Sequence, residues 1–203
     1  MKDGIISLNQ YLGETIPNKL ISNIKVATNY FISRVALKNV LIQLDRSFSD
    51  CQEEQLQIIN HLHLINHPEI LVSISHTSSF GAAIISTCTN TESIGIDIEH
   101  IDRQISPNSH KFFLNSTDSK ILYKDLLKSW TIKEAIFKAV SPKILHFQNL
   151  IPNNKKFVLT DIWASENQFG IIGSSKVLGN YNIFIQQDII VSTAYLRAFS
   201  AKS

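Results

Sequence analysis

Apolar positions along this chain switch between two periods, and the switches mark its elements. Over residues 16–44 they recur at three and four, as in Ile32, Val35, Ala36 and Val40, with Arg34 and Lys38 between them. That spacing predicts a helix. A second helix is predicted over 51–64, with Leu56, Ile59 and Leu62 or His63 on one face. His67-Pro68 ends it, because a residue before proline avoids the helical region. Residues 71–75 and 81–87 read as short strands joined by a Ser/Thr-rich turn around His76, and 94–99 as the next strand after a polar break. Helical texture returns over 109–114, 118–128 and 130–140 and stops at Ser141-Pro142. From residue 156 onward, apolar alternation punctuated by Gly170, Gly173 and Gly179 predicts strands at 157–163, 169–172, 181–186 and 189–196. Helices followed by strands, twice over, predict an α+β protein of two halves, 1–93 and 94–203.

Bulk properties narrow the class. The 203 residues are 44% hydrophobic and 18% charged, an ordinary globular balance. A net charge of +2 without any Lys/Arg run points away from nucleic acid as a partner. The opening residues include Asp3 and lack both a basic stretch and a long apolar core, so no signal peptide is expected. Apolar runs such as 80–85 are too short to span a bilayer, and no membrane partner is expected. Cys51 and Cys88 match no metal or redox spacing and read as buried thiols rather than a disulfide. The expected compartment is the cytoplasm.

Three short stretches carry candidate chemistry. In Gly95-Ile96-Asp97-Ile98-Glu99, strand alternation sets Asp97 and Glu99 on one side and Ile96 and Ile98 on the other. Two such carboxylates repel, and a hard divalent cation relieves that repulsion; an edge strand with a solvated polar side fits the same pattern. In the helix at 130–140, Trp130, Glu134 and Lys138 fall at i, i+4 and i+8 along one side. Glu134 and Lys138 read equally as a surface ion pair, although the indole on the same stripe suits a binding cleft. In Ser73-Ile74-Ser75-His76-Thr77, backbone N–H groups, hydroxyls and an imidazole can donate to an anionic oxygen, or simply end a strand. His61, His63 and His67 complete no tetrahedral metal set.

The order of these stretches, S-H-T, then G-I-D-I-E, then W-x-x-K-E-A-x-x-K, resembles the Sfp-type 4′-phosphopantetheinyl transferases. The likeness runs from about residue 72 to 140 and includes Lys111-Phe112-Phe113. A weaker likeness to the family's basic helix lies in Ser33-Arg34-Val35-Ala36-Leu37-Lys38. The resemblance implies transfer of the 4′-phosphopantetheine arm of coenzyme A to a serine of an apo acyl or peptidyl carrier protein, releasing adenosine 3′,5′-bisphosphate. It implies two similar α/β halves related by a pseudo-two-fold axis, with coenzyme A in the cleft between them, in a monomer. Asp97, Glu99 and Glu134 match the family's magnesium ligands, with manganese an alternative ion. His76, with Ser75 and Thr77 beside it, matches a contact to a coenzyme A phosphate, and Lys138 a catalytic lysine near the pyrophosphate. Lys38, with Arg34, matches the basic residues for the 3′-phosphate.

The chain departs from the family pattern in three places. Thr117 stands where the family often has a glutamate base, which shifts that expectation to Asp118 or to a metal-bound water. Ser141-Pro142-Lys143 replaces the usual glycines, and Asn66-His67-Pro68 replaces a Gly-Lys/Arg-Pro. The alternatives are a non-catalytic relative that binds a carrier protein or coenzyme A, and a metal phosphodiesterase. Lys120, Lys124 and Lys128, four apart on one predicted helix, form a candidate docking stripe for an acidic carrier, or a solvated face.

Overall fold

The computed structural model of the chain describes residues 2–7, 24–51, 56–144 and 156–198. The architecture is mixed α+β with two antiparallel sheets, each of five strands. The chain divides into two compact units, Met1–Thr87 and Cys88–Ser203.

In the first unit the strands are β1 (Lys2–Ser7), β2 (Ile58–Ile59), β3 (His63–Leu64), β4 (His67–His76) and β5 (Phe80–Ser86). They lie in the order β1-β5-β4-β3-β2. Helix α1 (Ile24–Leu44) buries Ile32, Ala36, Leu37, Val40 and Leu41 against Val72, Ala83 and Ile85 of the sheet. Gly81 of β5 meets the backbone of Ile32 and Ser33, so closely that any Cβ there would collide with the helix. The β4–β5 turn closes through Thr77 N–H to Phe80 O at 2.8 Å. Thr77 Oγ1 accepts from the N–H groups of Ser79 and Phe80 at 3.2 and 3.0 Å.

The second unit holds β6 (Thr91–His100), β7 (Ile162–Ser165), β8 (Gln168–Ile171), β9 (Gly179–Gln186) and β10 (Ile189–Arg197), in the order β6-β10-β9-β8-β7. Glu166-Asn167 and Gln187-Asp188 take positive φ in the two-residue turns joining β7 to β8 and β9 to β10. Left-handed turns of that length match the twist of the strands they join. Helix α2 (Leu126–Val140) starts on Asp125, whose carboxylate accepts from Lys128 N–H at 3.1 Å. Its apolar face (Ile132, Ala135, Ile136, Ala139 and Val140) packs into a core with Phe113, Ile162, Phe169 and Leu196.

Several expected elements differ from those observed. Of the helix expected over 51–64, residues 52–55 lie outside the described residues, and the β2–β3 hairpin stands where its second half was expected. Asn60 and His61 take left-handed φ in its turn, a conformation that asparagine tolerates. The apolar triplet Leu56, Ile59 and Leu62 is therefore not one helical face. The expected strand at 157–163 begins only at Ile162, after a 3₁₀ turn at Leu159–Asp161. The helical stretch at 118–128 is broken into a 3₁₀ turn, Lys120–Lys124, and the first residues of α2, with Asp125 capping between them. Lys120, Lys124 and Lys128 therefore form no continuous stripe, and Lys128 pairs with Asp125 at 3.0 Å. Strand β1 was not expected from the sequence pattern.

Candidate active site

Strand β6 sits at the edge of its sheet, hydrogen-bonded to β10. Alternation turns Ser93, Gly95, Asp97 and Glu99 to one side and buries Ile94, Ile96 and Ile98 on the other. Gly95 removes the side chain where α2 crosses. A Cβ there would collide with Ala135 O and Ala139 N, so glycine is what lets the helix lie directly on the acidic strand. One turn along, Lys138 reaches over the strand and donates from Nζ to Ile96 O at 3.0 Å and to Asp97 Oδ1 at 2.8 Å. Asp97 is buried, and its Oδ2 has no exposed surface.

Glu99 is held differently. Trp130 Nε1 donates to its Oε1 at 3.2 Å, and Arg103 Nη1 donates to the same oxygen. The guanidinium lies 5.6 Å from the Trp130 ring centroid, a cation–π contact. The indole is fixed from below by Phe113, edge-on at 5.4 Å and 89°. Within the Lys111-Phe112-Phe113 step, Phe113 is therefore the buried support of the tryptophan, while Phe112 points to solvent, 66% exposed.

Glu134 completes the cluster from α2. Burial raises its carboxyl above the ordinary value, and the neighbouring Asp97 charge raises it further; Lys138 and Arg103 pull it back. A carboxylate raised by another carboxylate lies within electrostatic reach of it. The structure thus brings together Asp97, Glu99, Glu134, Lys138 and Trp130, with Arg103 added. Among the described residues, no group of three or more His, Cys, Asp or Glu side chains is set to hold a metal ion. The three carboxylates are met by Lys138 and Arg103 instead. Their oxygen donors are of the type a hard divalent cation takes, although their arrangement is not one set to hold it.

Residues 93–177 match the family model of the 4′-phosphopantetheinyl transferase superfamily. The matched stretch runs from β6 past β8 and holds every residue of the cluster. The first unit lies outside it. No curated protein matches the chain. No helix among the described residues is long and apolar enough to cross a membrane.

Asp118, the expected base, also falls inside the matched segment but away from the cluster's chemistry. Its side chain has no exposed surface and pairs with the equally buried Lys133 at 2.8 Å. It accepts as well from the N–H groups of Asn115 and Ala164, both at 2.8 Å. A carboxylate enclosed in this way cannot take a proton from a serine on another protein, and that expectation is corrected. Sequence reading gave Lys133 no role. Burial pulls its ammonium down to about 8, partly offset by Asp118, and Nζ also donates to Ile162 O at 2.5 Å. Arg103 was also missed, although it stands four residues after Glu99.

The remaining expected residues lie in the first unit. Ser75 and Thr77 are buried and His76 is exposed at the end of β4. Arg34 and Lys38 are half-buried, one turn apart on α1. The Arg34 guanidinium lies 4.9 Å from the Tyr30 ring centroid, and its Nε and Nη1 are buried with no hydrogen-bond acceptor among the described residues.

Proposed function

We propose that this protein transfers the 4′-phosphopantetheine arm of coenzyme A to a serine of an apo acyl or peptidyl carrier protein. The convergence of Asp97, Glu99, Glu134 and Lys138 inside the segment that matches the superfamily carries this reading. Asp97, Glu99 and Glu134 are the residues to hold magnesium, or manganese in its place. When bound, the cation supplies positive charge against a diphosphate, where charge accumulates during phosphoryl transfer.

The serine oxygen forms a bond to the phosphorus that carries the pantetheine arm. The bond from that phosphorus to the bridging oxygen breaks, and adenosine 3′,5′-bisphosphate leaves with the electron pair. Lys138, oriented by two acceptors on β6, offsets the negative charge that grows on the phosphoryl oxygens. The serine proton needs an acceptor, and Asp118, sealed against Lys133, does not supply it. Trp130 keeps Glu99 oriented.

His76, Ser75, Thr77, Lys38 and Arg34 bind the phosphates of coenzyme A. The support lies in Arg34, because buried guanidinium nitrogens without an acceptor call for an anion. The protein acts as a monomer on its carrier.

Incubating the purified protein with coenzyme A, magnesium and apo carrier proteins of fatty-acid and peptide type tests this. The carrier is expected to gain one phosphopantetheine arm by intact mass, with one adenosine bisphosphate released per carrier. Unmodified carriers throughout would overturn the reading. A second reading, a relative that binds coenzyme A or a carrier without transfer, is favoured by the occupation of Asp97 and Glu99 by Lys138 and Arg103. Such a protein binds coenzyme A equally with and without magnesium and releases no bisphosphate.

A further inference from the structure

A groove in the second unit adjoins the acidic cluster without contributing a catalytic group. It has a volume of about 430 Å³ and is lined from the chain after β6, the start of α2 and the β9–β10 hairpin. Two of its lining isoleucines, Ile101 and Ile185, remain 48% and 53% exposed. Apolar side chains left open in a concave surface gain when a partner covers them. Around them stand Arg103, Lys124 and Lys128, against a single lining acid, Asp125. Asp125 is already engaged, since it pairs with Lys128 at 3.0 Å and caps α2. Lys124 is exposed and has no carboxylate partner among the described residues. The wall is held in place, because Ile101 N–H donates to Asp188 O at 3.0 Å in the β9–β10 turn. A fixed apolar groove with a positive rim suits an acidic segment that presents an apolar side chain.

We propose that this groove docks the apo carrier protein, taking an apolar side chain from an acidic segment of the carrier beside Ile101 and Ile185 while Lys124 meets that segment's carboxylates. This inference rests on the transferase reading and names the surface by which the site receives its protein substrate. The position of the groove supports it. Arg103 lines the groove, pairs with Glu99 and lies 5.6 Å from the Trp130 ring centroid, so a protein seated there stands beside the cluster. The positive rim speeds encounter with acidic partners and disfavours basic ones, and the apolar contact sets how long the pair lasts.

The test uses the full chain with apo carriers of fatty-acid and peptide type. Lys124→Glu and Ile185→Asp are compared with wild type and with Ile172→Asp, which changes another exposed isoleucine, just past β8. In each groove variant the KM for the carrier is expected to rise about tenfold or more, while kcat and the KM for coenzyme A stay at wild-type values. Ile172→Asp is expected to match wild type. Calorimetry with a carrier whose acceptor serine is replaced by alanine reads the same loss without turnover, and added salt weakens wild type more than Lys124→Glu. Urea unfolding separates lost docking from lost folding, and Lys124→Glu, on an exposed side chain, decides the question if Ile185→Asp unfolds. Transfer with an unchanged carrier KM in the stable groove variants would overturn the docking role alone. A wild-type dimer in sedimentation that Ile185→Asp dissolves would give the groove to a second copy of the chain and overturn it as well. Carriers that wild type neither binds nor modifies would overturn the transferase reading, and this inference with it.

Discussion

The two units share a plan and differ in how their helices are secured. Among the described residues each has a five-stranded antiparallel sheet with one long helix, and each helix lies on a strand glycine, Gly81 beneath α1 and Gly95 beneath α2. Both helices also bury basic nitrogen. On α2 that is Lys133, enclosed with Asp118 and the Ile162 carbonyl, while Asp118 also accepts from the Ala164 amide. On α1 it is Arg34, whose buried Nε and Nη1 find no acceptor among the described residues. Burying a cation is costly unless it is paired, so the two serve different ends. The first belongs to the fold and holds the helix that carries Glu134 and Lys138. The second is the residue proposed above to meet a coenzyme A phosphate.

The sharpest way to break this contrast is to remove one partner of the enclosed pair. Asp118→Ala should cost about 3–5 kcal/mol in urea unfolding, because it strands a buried ammonium. Replacing both partners with apolar residues should recover most of that loss. If Asp118→Ala costs no more than a surface substitution, the pair does not secure α2. On the other helix the opposite is expected. Arg34→Met should leave unfolding unchanged or slightly favourable, while the KM for coenzyme A rises about tenfold or more, as for a lost hydrogen bond to a charged group. A large loss of stability there would move Arg34 into the fold's own framework.

A smaller effect separates site from scaffold within the second unit. The folded chain holds the Glu134 proton more tightly than the unfolded chain, whose glutamate titrates near its ordinary 4.5. For this group, stability is greatest below pH 4.5 and declines as pH rises through the raised value. Glu134→Gln should therefore be more stable than wild type at pH 7, with the difference closing below pH 4.5, in denaturant titrations at the two pH values. Equal stability at pH 7 would mean that the carboxylate is not strained by its neighbours.

What the sequence made legible follows from the range of the interactions. Strand β6 and helix α2 were readable because alternation at Ile94, Ile96 and Ile98 and the helical spacing of Trp130, Glu134 and Lys138 are local patterns. The 51–64 segment was misread because apolar residues three apart suit a helix as well as a hairpin. Only the left-handed Asn60-His61 turn decides between them. The sealed Asp118–Lys133 pair spans a loop and a helix, and no periodicity announces such a contact. Asp118 therefore read as reactive when it is structural. Arg103 was visible as a residue, but its attachment to Glu99 depends on how the chain turns after His100, where Arg103 N–H donates to His100 O at 3.0 Å.

If acids from β6 and α2 act as one site, a double-mutant cycle on transfer exposes it. Asp97→Asn and Glu134→Gln should each lower the rate of arm transfer from coenzyme A to carrier by about a hundredfold or more. The double variant should be no slower than the worse single, because groups acting as a unit lose their function together. Losses that multiply in the double variant would mean that the two carboxylates act independently, and would contradict the shared site.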